Sequence, residues 1–249
     1  MTPYFFEFIG TLVLVLLGDG VCAAASLNKS KAKGAGWIVI TLAWGFAVLT
    51  GVFIAGPYSG AHLNPAVSLG LAAAGQFAWN LVPGYIIAQM LGGFLGAVLV
   101  YVYYKDHYDA TADEPDTILG TFCTAPAIRN TWRNFFCEFL GTAHLVFLIL
   151  LLATDGNLFK VSGAAASPGA LGAFPVACII MSIGMSIGAT TGYAINPARD
   201  LGPRLAHALL PIKGKRDSDW SYSWIPCVAP MLGAAVAAGL FLLIKPLIG

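Results

Sequence analysis

The sequence predicts an all-α membrane protein in which six transmembrane helices and two re-entrant half-helices form an inverted repeat. Three observations carry that prediction. Of 249 residues, 58% are hydrophobic and 10% charged, against about 25% charged in soluble domains. Six apolar stretches are long enough to cross a bilayer, and two more, each containing an Asn-Pro pair, are too short. The chain also repeats itself at an offset of about 130 residues. The same composition excludes other classes. With abundant Leu, Ile, Val and Phe and a formal net charge of +1, the chain is neither disordered nor a basic nucleic-acid binder. Cys22, Cys123, Cys137, Cys178 and Cys227 form no Cys-x-x-Cys pair, so they read as ordinary buried small residues and not as a zinc site or disulfide framework. No nucleophile, base and orienting residue stand together and no phosphate-binding loop is present, so neither an enzyme nor a cofactor is expected.

A helix crossing about 30 Å of hydrocarbon needs about 20 residues. Residues 4–26 come first; they lack a basic leader and exceed the apolar run of a cleaved signal, so they are expected to remain as a span. Spans 34–56 and 81–104 follow, with the short apolar segment 61–74 between them. Its helix is expected to start at Asn64-Pro65, because asparagine caps a helix and proline at the first position loses no hydrogen bond. The second half has spans 134–154, 170–190 and 223–247, and its short segment 193–210 starts a helix at Asn196-Pro197. Such half-helices are tolerated in a membrane only where their free backbone groups are buried in protein or line a watery cavity. Residues 28–33, 105–133, 155–168 and 213–221 read as loops, and the second exceeds the usual connection length, which marks it as functional or partly disordered. Its acids Asp106, Asp109, Asp113, Glu114 and Asp116 lack the spacing of a calcium loop and read as a solvated face.

Residues 59–70, Ser-Gly-Ala-His-Leu-Asn-Pro-Ala-Val-Ser-Leu-Gly, overlie 191–202, Thr-Gly-Tyr-Ala-Ile-Asn-Pro-Ala-Arg-Asp-Leu-Gly, at an offset of 132, and 6–11 overlie 137–142 at 131. One domain, residues 1–249, with halves at about 1–120 and 121–249, is expected. Each half holds three full spans, an odd number, so the second half is inverted and the two broken elements meet near the midplane. Two helix N-termini then face each other with free N–H groups and positive dipole ends. Asn64 and Asn196 can each turn an amide NH2 toward a passing oxygen while the amide oxygen accepts from the half-helix backbone. Arg199 is a charge at membrane depth, which marks a functional site. Its guanidinium donates hydrogen bonds and repels cations, and its repeat mate is the uncharged Val67.

The motifs Asn64-Pro65-Ala66 and Asn196-Pro197-Ala198, with Arg199 after the second, resemble the major intrinsic protein family, the aquaporins and glycerol facilitators, over nearly the whole chain. Asp200 after Arg199, and Gly-Thr-Phe-Cys-Thr-Ala-Pro at 120–126, are similar to the glycerol-facilitator branch. The resemblance implies an aquaporin-like fold, a homotetramer in the cell membrane among lipid, and cytoplasmic termini. It further implies a passive channel for glycerol and other small neutral solutes that also passes water and excludes protons and ions. The implied selectivity filter is Trp44, Gly184, Tyr193 and Arg199. In it the aromatic pair forms an apolar wall for carbon, Gly184 opens volume where water-only members carry histidine, and Arg199 offers donors. Tyr193 stands where facilitators mostly carry phenylalanine, and its hydroxyl either narrows the pore or adds a hydrogen-bonding group. Glu7 and Glu138 are implied to accept N–H groups of the re-entrant loops, with a proton relay as the alternative. His62 is implied to offer its carbonyl to the pore while its ring packs or gates. Asp200 is implied to support the second loop, and would pair with Arg199 if that arginine served structure alone.

Gly92 with Gly96, and Gly184 with Gly188, have the spacing of close helix crossings. His144 and His207 have no companions at ligand spacing and read as structural. The competing readings are a water-selective pore, a coupled transporter of small polyols, which needs charge in its path for a coupling ion, and an adhesion protein that keeps the fold without conducting. The implied orientation leaves Lys29, Lys31, Lys33, Lys105, Arg129, Arg133, Lys213, Lys215 and Arg216 outside and only Lys160 and Lys245 inside. That opposes the positive-inside rule, and the expected orientation follows the resemblance.

Overall fold

The apolar stretches fold as helices, and the computed structural model, which describes residues 1–154 and 173–248, contains only helical elements among those residues. In order these are α1 (Thr2–Ser26), α2 (Gly36–Ser59), α3 (Pro65–Ala73), α4 (Val82–Tyr103), α5 (Lys105–Asp109), α6 (Pro115–Gly120), α7 (Thr131–Leu152), α8 (Phe174–Ser186), α9 (Pro197–Leu209) and α10 (Trp220–Ile244). Five of the described helices are long and apolar enough to cross a membrane. The fifth predicted span is shorter than expected where described: α8 stops at Ser186 and the chain tightens into a 3-10 turn over Gly188–Thr190, at a glycine, which propagates a helix poorly. The start of that span and the predicted loop 155–168 lie outside the described residues, apart from 173.

Two expectations are corrected. Residues 105–133 are not a simple loop, because they hold α5 and α6. Pro115 supplies the first turn of α6, and Tyr108, Ile118, Leu119 and Phe122 are buried, anchoring the segment to the helices. Nor are its acids merely solvated: Asp109 pairs with Lys105, Asp116 with Arg216, and Glu114 accepts from Asn28 at 2.8 Å. The cysteines also differ from expectation. Cys22 and Cys123 are buried, but Cys137 and Cys227 are partly exposed and Cys178 is exposed. A small apolar side chain on the outer face of a spanning helix meets lipid, so it needs no protein cover.

Helix α1 packs on α2 and α4, α7 on α10, α4 on α9, α2 on α8, and α10 on α3. A Cβ at Gly92 would stand 2.4 Å from the Phe8 carbonyl oxygen, and one at Gly96 would stand 2.6 Å from that of Leu12. Here α4 therefore lies almost backbone to backbone on α1, the close crossing that small residues permit. The half-helices seat in the same way through repeat-related glycines: a Cβ at Gly70 would meet Val146, and one at Gly202 would meet the α4 backbone at Phe94. The polarity is inside-out relative to a water-soluble protein. Phe46, Phe53, Leu91, Leu240 and Leu243 point outward, while Glu7, Asp19, Glu138, Arg199, Asp200 and Arg204 are buried. In hydrocarbon this is the stable arrangement, since charged groups find partners only within the bundle.

Candidate functional site

Each half-helix is preceded by a re-entrant loop of unusual backbone. Ala61 and Leu63 in the first loop have φ of 50° and 51°, and their repeat mates Tyr193 and Ile195 have 36° and 41°. Left-handed conformations of this kind cost on the order of 1–3 kcal/mol each in residues with a Cβ, so the surroundings must hold them. Buried carboxylates do so. The N–H groups of His62 and Leu63 both donate to Glu7, at 2.9 and 2.7 Å, and those of Ala194 and Ile195 both donate to Glu138, at 3.0 and 2.8 Å. Ser59 and Gln89 add donors at 2.7 Å each to Glu7, and Thr191 adds one at 2.6 Å to Glu138. In an ordinary strand consecutive N–H groups face opposite ways; here the left-handed residues bring two to one side. Because each peptide is planar and trans, the carbonyls of Ala61, His62, Tyr193 and Ala194 point away from the carboxylates. All four residues line a cavity of about 250 Å3.

The side chain of His62 lies beside this loop, with Nδ1 3.0 Å from the Ser68 hydroxyl and its ring centroid 4.5 Å from Phe77 and 4.9 Å from Tyr85. The two asparagines both line the same cavity. Asn64 Oδ1 accepts from Ala66 at 2.9 Å, and Asn196 Oδ1 from Ala198 at 3.0 Å and Arg199 at 3.2 Å. Each amide then reaches across the repeat: Asn64 Nδ2 donates to the Ile195 carbonyl and Asn196 Nδ2 to the Leu63 carbonyl, both at 2.8 Å. An amide nitrogen carries two hydrogens, so one N–H of each remains for the cavity that both residues line. Pro65, Ala66, Pro197 and Ala198 form the buried first turns behind them.

Trp44, Tyr193 and Arg199 also line the cavity, but Gly184 does not. The volume that Gly184 leaves is already taken: a Cβ there would stand 2.9 Å from Thr41 Cγ2 and 3.0 Å from the Tyr193 hydroxyl. Gly188 likewise receives the Tyr193 ring, with 2.5 Å to Cδ1, so this pair of glycines makes room for an aromatic side chain instead of a close backbone crossing. Trp37, which the sequence did not single out, donates to the Gly184 carbonyl at 2.9 Å and meets Tyr193 edge to face at 5.7 Å. The Tyr193 hydroxyl itself has no partner among the described residues.

Arg199 does not pair with Asp200. Successive residues of a helix face different ways whereas residues four apart share a face, and Asp200 accordingly bonds Arg204 Nε at 2.8 Å. Asp200 also accepts from the backbone N–H and hydroxyl of Thr124, at 2.8 and 2.7 Å, while Arg204 donates to the Thr124 carbonyl at 2.9 Å. The 120–126 motif is thus clamped onto α9. Arg199 instead approaches Asp19, with Nη1 to Oδ1 at 3.4 Å, and lies 4.1 Å over the Trp44 ring. Thr124, from the 120–126 motif, completes the surroundings together with Asp19, Gln89 and Arg204, none of which the sequence singles out.

Residues 2–241 match the model of the family described as major intrinsic protein. The chain belongs to that family. Among this major intrinsic protein's relatives, a "Probable glycerol uptake facilitator protein" of Thermotoga maritima is 51% identical over 97% of this chain and 98% of its own. "Glycerol uptake facilitator protein 3" of Lactiplantibacillus plantarum is 52% identical over 94% of this chain and 93% of its own. Among solved structures, the aquaglyceroporin of Plasmodium falciparum superposes with a TM-score of 0.83 at 33% identity, covering 98% of this chain and 97% of that one. The fold is that of the aquaporins, and this major intrinsic protein is an integral membrane protein.

Proposed function

We propose that this major intrinsic protein is a passive channel for glycerol and similar small uncharged solutes that also passes water. The observation that carries the reading is the two-sided lining of the cavity. Leu14, Val48, Val52, Leu71, Leu145, Ile149 and Ile180 supply apolar surface, while Asn64, Asn196, Arg199 and the loop carbonyls, that of Tyr193 among them, supply donors and acceptors. A polyol presents CH groups on one side and hydroxyls on the other, so it exchanges its hydration for such a lining at little cost. An ion cannot, because stripping its water costs far more than these groups return. Rejection of protons and cations by an arginine and opposed half-helix dipoles is a general property of aquaporin-type pores. In this reading Trp44, Tyr193 and Arg199 form the constriction with Gly184 behind them. Glu7, Glu138, His62 and Asp200 hold the loops, and Asn64 and Asn196 with their Pro-Ala turns form the central donor pair. The names of the relatives in Thermotoga and Lactiplantibacillus support glycerol as the solute.

The chain works as one domain of two halves, about 1–120 and 121–249, assembled as a homotetramer in the cell membrane with both termini in the cytoplasm. Stopped-flow light scattering on vesicles carrying the purified chain tests the function. Re-swelling in a glycerol gradient is expected to be much faster than in empty vesicles, together with raised water permeability. Raised water permeability alone would replace this reading with a water-selective pore.

A further inference from the structure

We infer that Asp19 is the counter-ion of Arg199 and that this pair, with no net charge, makes the constriction refuse anions as well as cations. The inference rests on the reading of the cavity as the conducting path. Asp19 lies on α1, its side chain 1% exposed, with Oδ1 3.4 Å from Nη1 of an arginine that is 9% exposed. Arg199 lines the cavity and Asp19 does not, so the carboxylate stands behind the guanidinium as seen from the path. Among the described residues Asp19 is the one side chain to which the guanidinium hydrogen-bonds, and the Trp44 ring is the surface on which it lies. The nearby carboxylate of Asp200 is committed to Thr124 and Arg204.

Asp19 also differs from the carboxylates that brace the loops. Glu7 and Glu138 accept on both oxygens, whereas Asp19 Oδ2 has no partner among the described residues. A carboxylate kept for hydrogen bonding would not leave an oxygen bare in the bundle. Its contribution is charge. A lone guanidinium at the narrowest point, backed by two positive half-helix ends, would repel cations but attract anions. A carboxylate directly behind it cancels the field beyond a few ångströms while the N–H donors still face the solute. Neutral solutes then find hydrogen bonds, and ions of either sign find nothing to offset dehydration.

The test uses the full-length chain in vesicles, with glycerol re-swelling as the measure of working channels and nitrate and potassium fluxes as probes. Wild type is expected to be tight to both ions. Asp19→Asn is expected to raise the ratio of nitrate to glycerol flux by roughly tenfold or more without admitting potassium, since one uncompensated unit charge beside the path is worth at least that factor. Arg199→Val leaves the carboxylate alone and is expected to admit potassium; Asp19→Asn in that background is expected to abolish this leak. A purely structural role for Asp19 would not produce leaks of opposite sign that cancel. A conducting Asp19→Asn channel as nitrate-tight as wild type overturns the inference. If that variant does not assemble, a potassium leak in Arg199→Val that persists in the double variant overturns it equally. A wild-type chain that passes neither water nor glycerol refutes the pore reading, and the inference with it.

Discussion

The Tyr193 hydroxyl is buried in the notch beside Gly184, which does not line the cavity, and has no hydrogen-bond partner among the described residues, so the oxygen lies off the path. Tyr193→Phe is expected to leave glycerol and water flux within about twofold of wild type while raising thermal stability, since an unpaired buried polar group costs about 1–3 kcal/mol; a clear fall in glycerol flux would show that the hydroxyl reaches the solute. Glu138→Ala strips the acceptor from three donors, the Thr191 hydroxyl and the Ala194 and Ile195 amides. At about 1–3 kcal/mol for each orphaned group, thermal unfolding in detergent is expected to shift down markedly and flux to fall with it. Unchanged melting with a new proton dependence of flux would point to a relay. The asparagines and both glutamates were legible because the repeat presents each twice, and a coincidence of position singles out a pair where one copy would not. Asp19 was legible in principle, as an acid inside an apolar span, but it has no repeat mate. Trp37 and Gln89 gave no signal, because their partners lie 147 and 82 residues away and nothing local marks such contacts.

Among the elements, five of the six predicted spans and the two half-helices were readable from length, apolar content and the Asn-Pro starts, whereas α5 and α6 were not. Their apolar anchors, Tyr108, Ile118 and Leu119, are sparse among acids, so the segment has the composition of a loop and acquires helices only by docking. Asn28, in the turn after α1, holds this segment through Ala110, Thr111 and His107 and also through Glu114, whose carboxyl the Asn28 amide and then the Thr117 hydroxyl hold below the usual value of 4.5. A depressed folded value means that this contact contributes above pH 4.5 and is lost as the pH falls through the lowered value. Acidification is therefore expected to speed hydrogen exchange at amides 111–120 while those of α3 stay protected. Equal protection of both segments across that range would show that the apolar anchors and the other Asn28 bonds hold α6 without Glu114. The group is exposed, so the effect is local and modest.

At the scale of the molecule, a channel and a coupled transporter built from inverted repeats differ in whether one half moves against the other. Flux of glycerol is expected to rise linearly with gradient, without saturation and without response to sodium or proton gradients; saturation tied to either ion would favour the transporter. The reciprocal bonds from Asn64 to Ile195 and from Asn196 to Leu63 bear on this directly. For either half to swing away, both must break, so each half is the other's latch. A conduit latched at its waist has no stroke, and without a stroke it can do no work on its cargo. It shortens the time to equality and never moves the point of equality. Accumulation on one side then falls to whatever chemistry consumes the solute there, and the direction of net traffic is decided outside the protein.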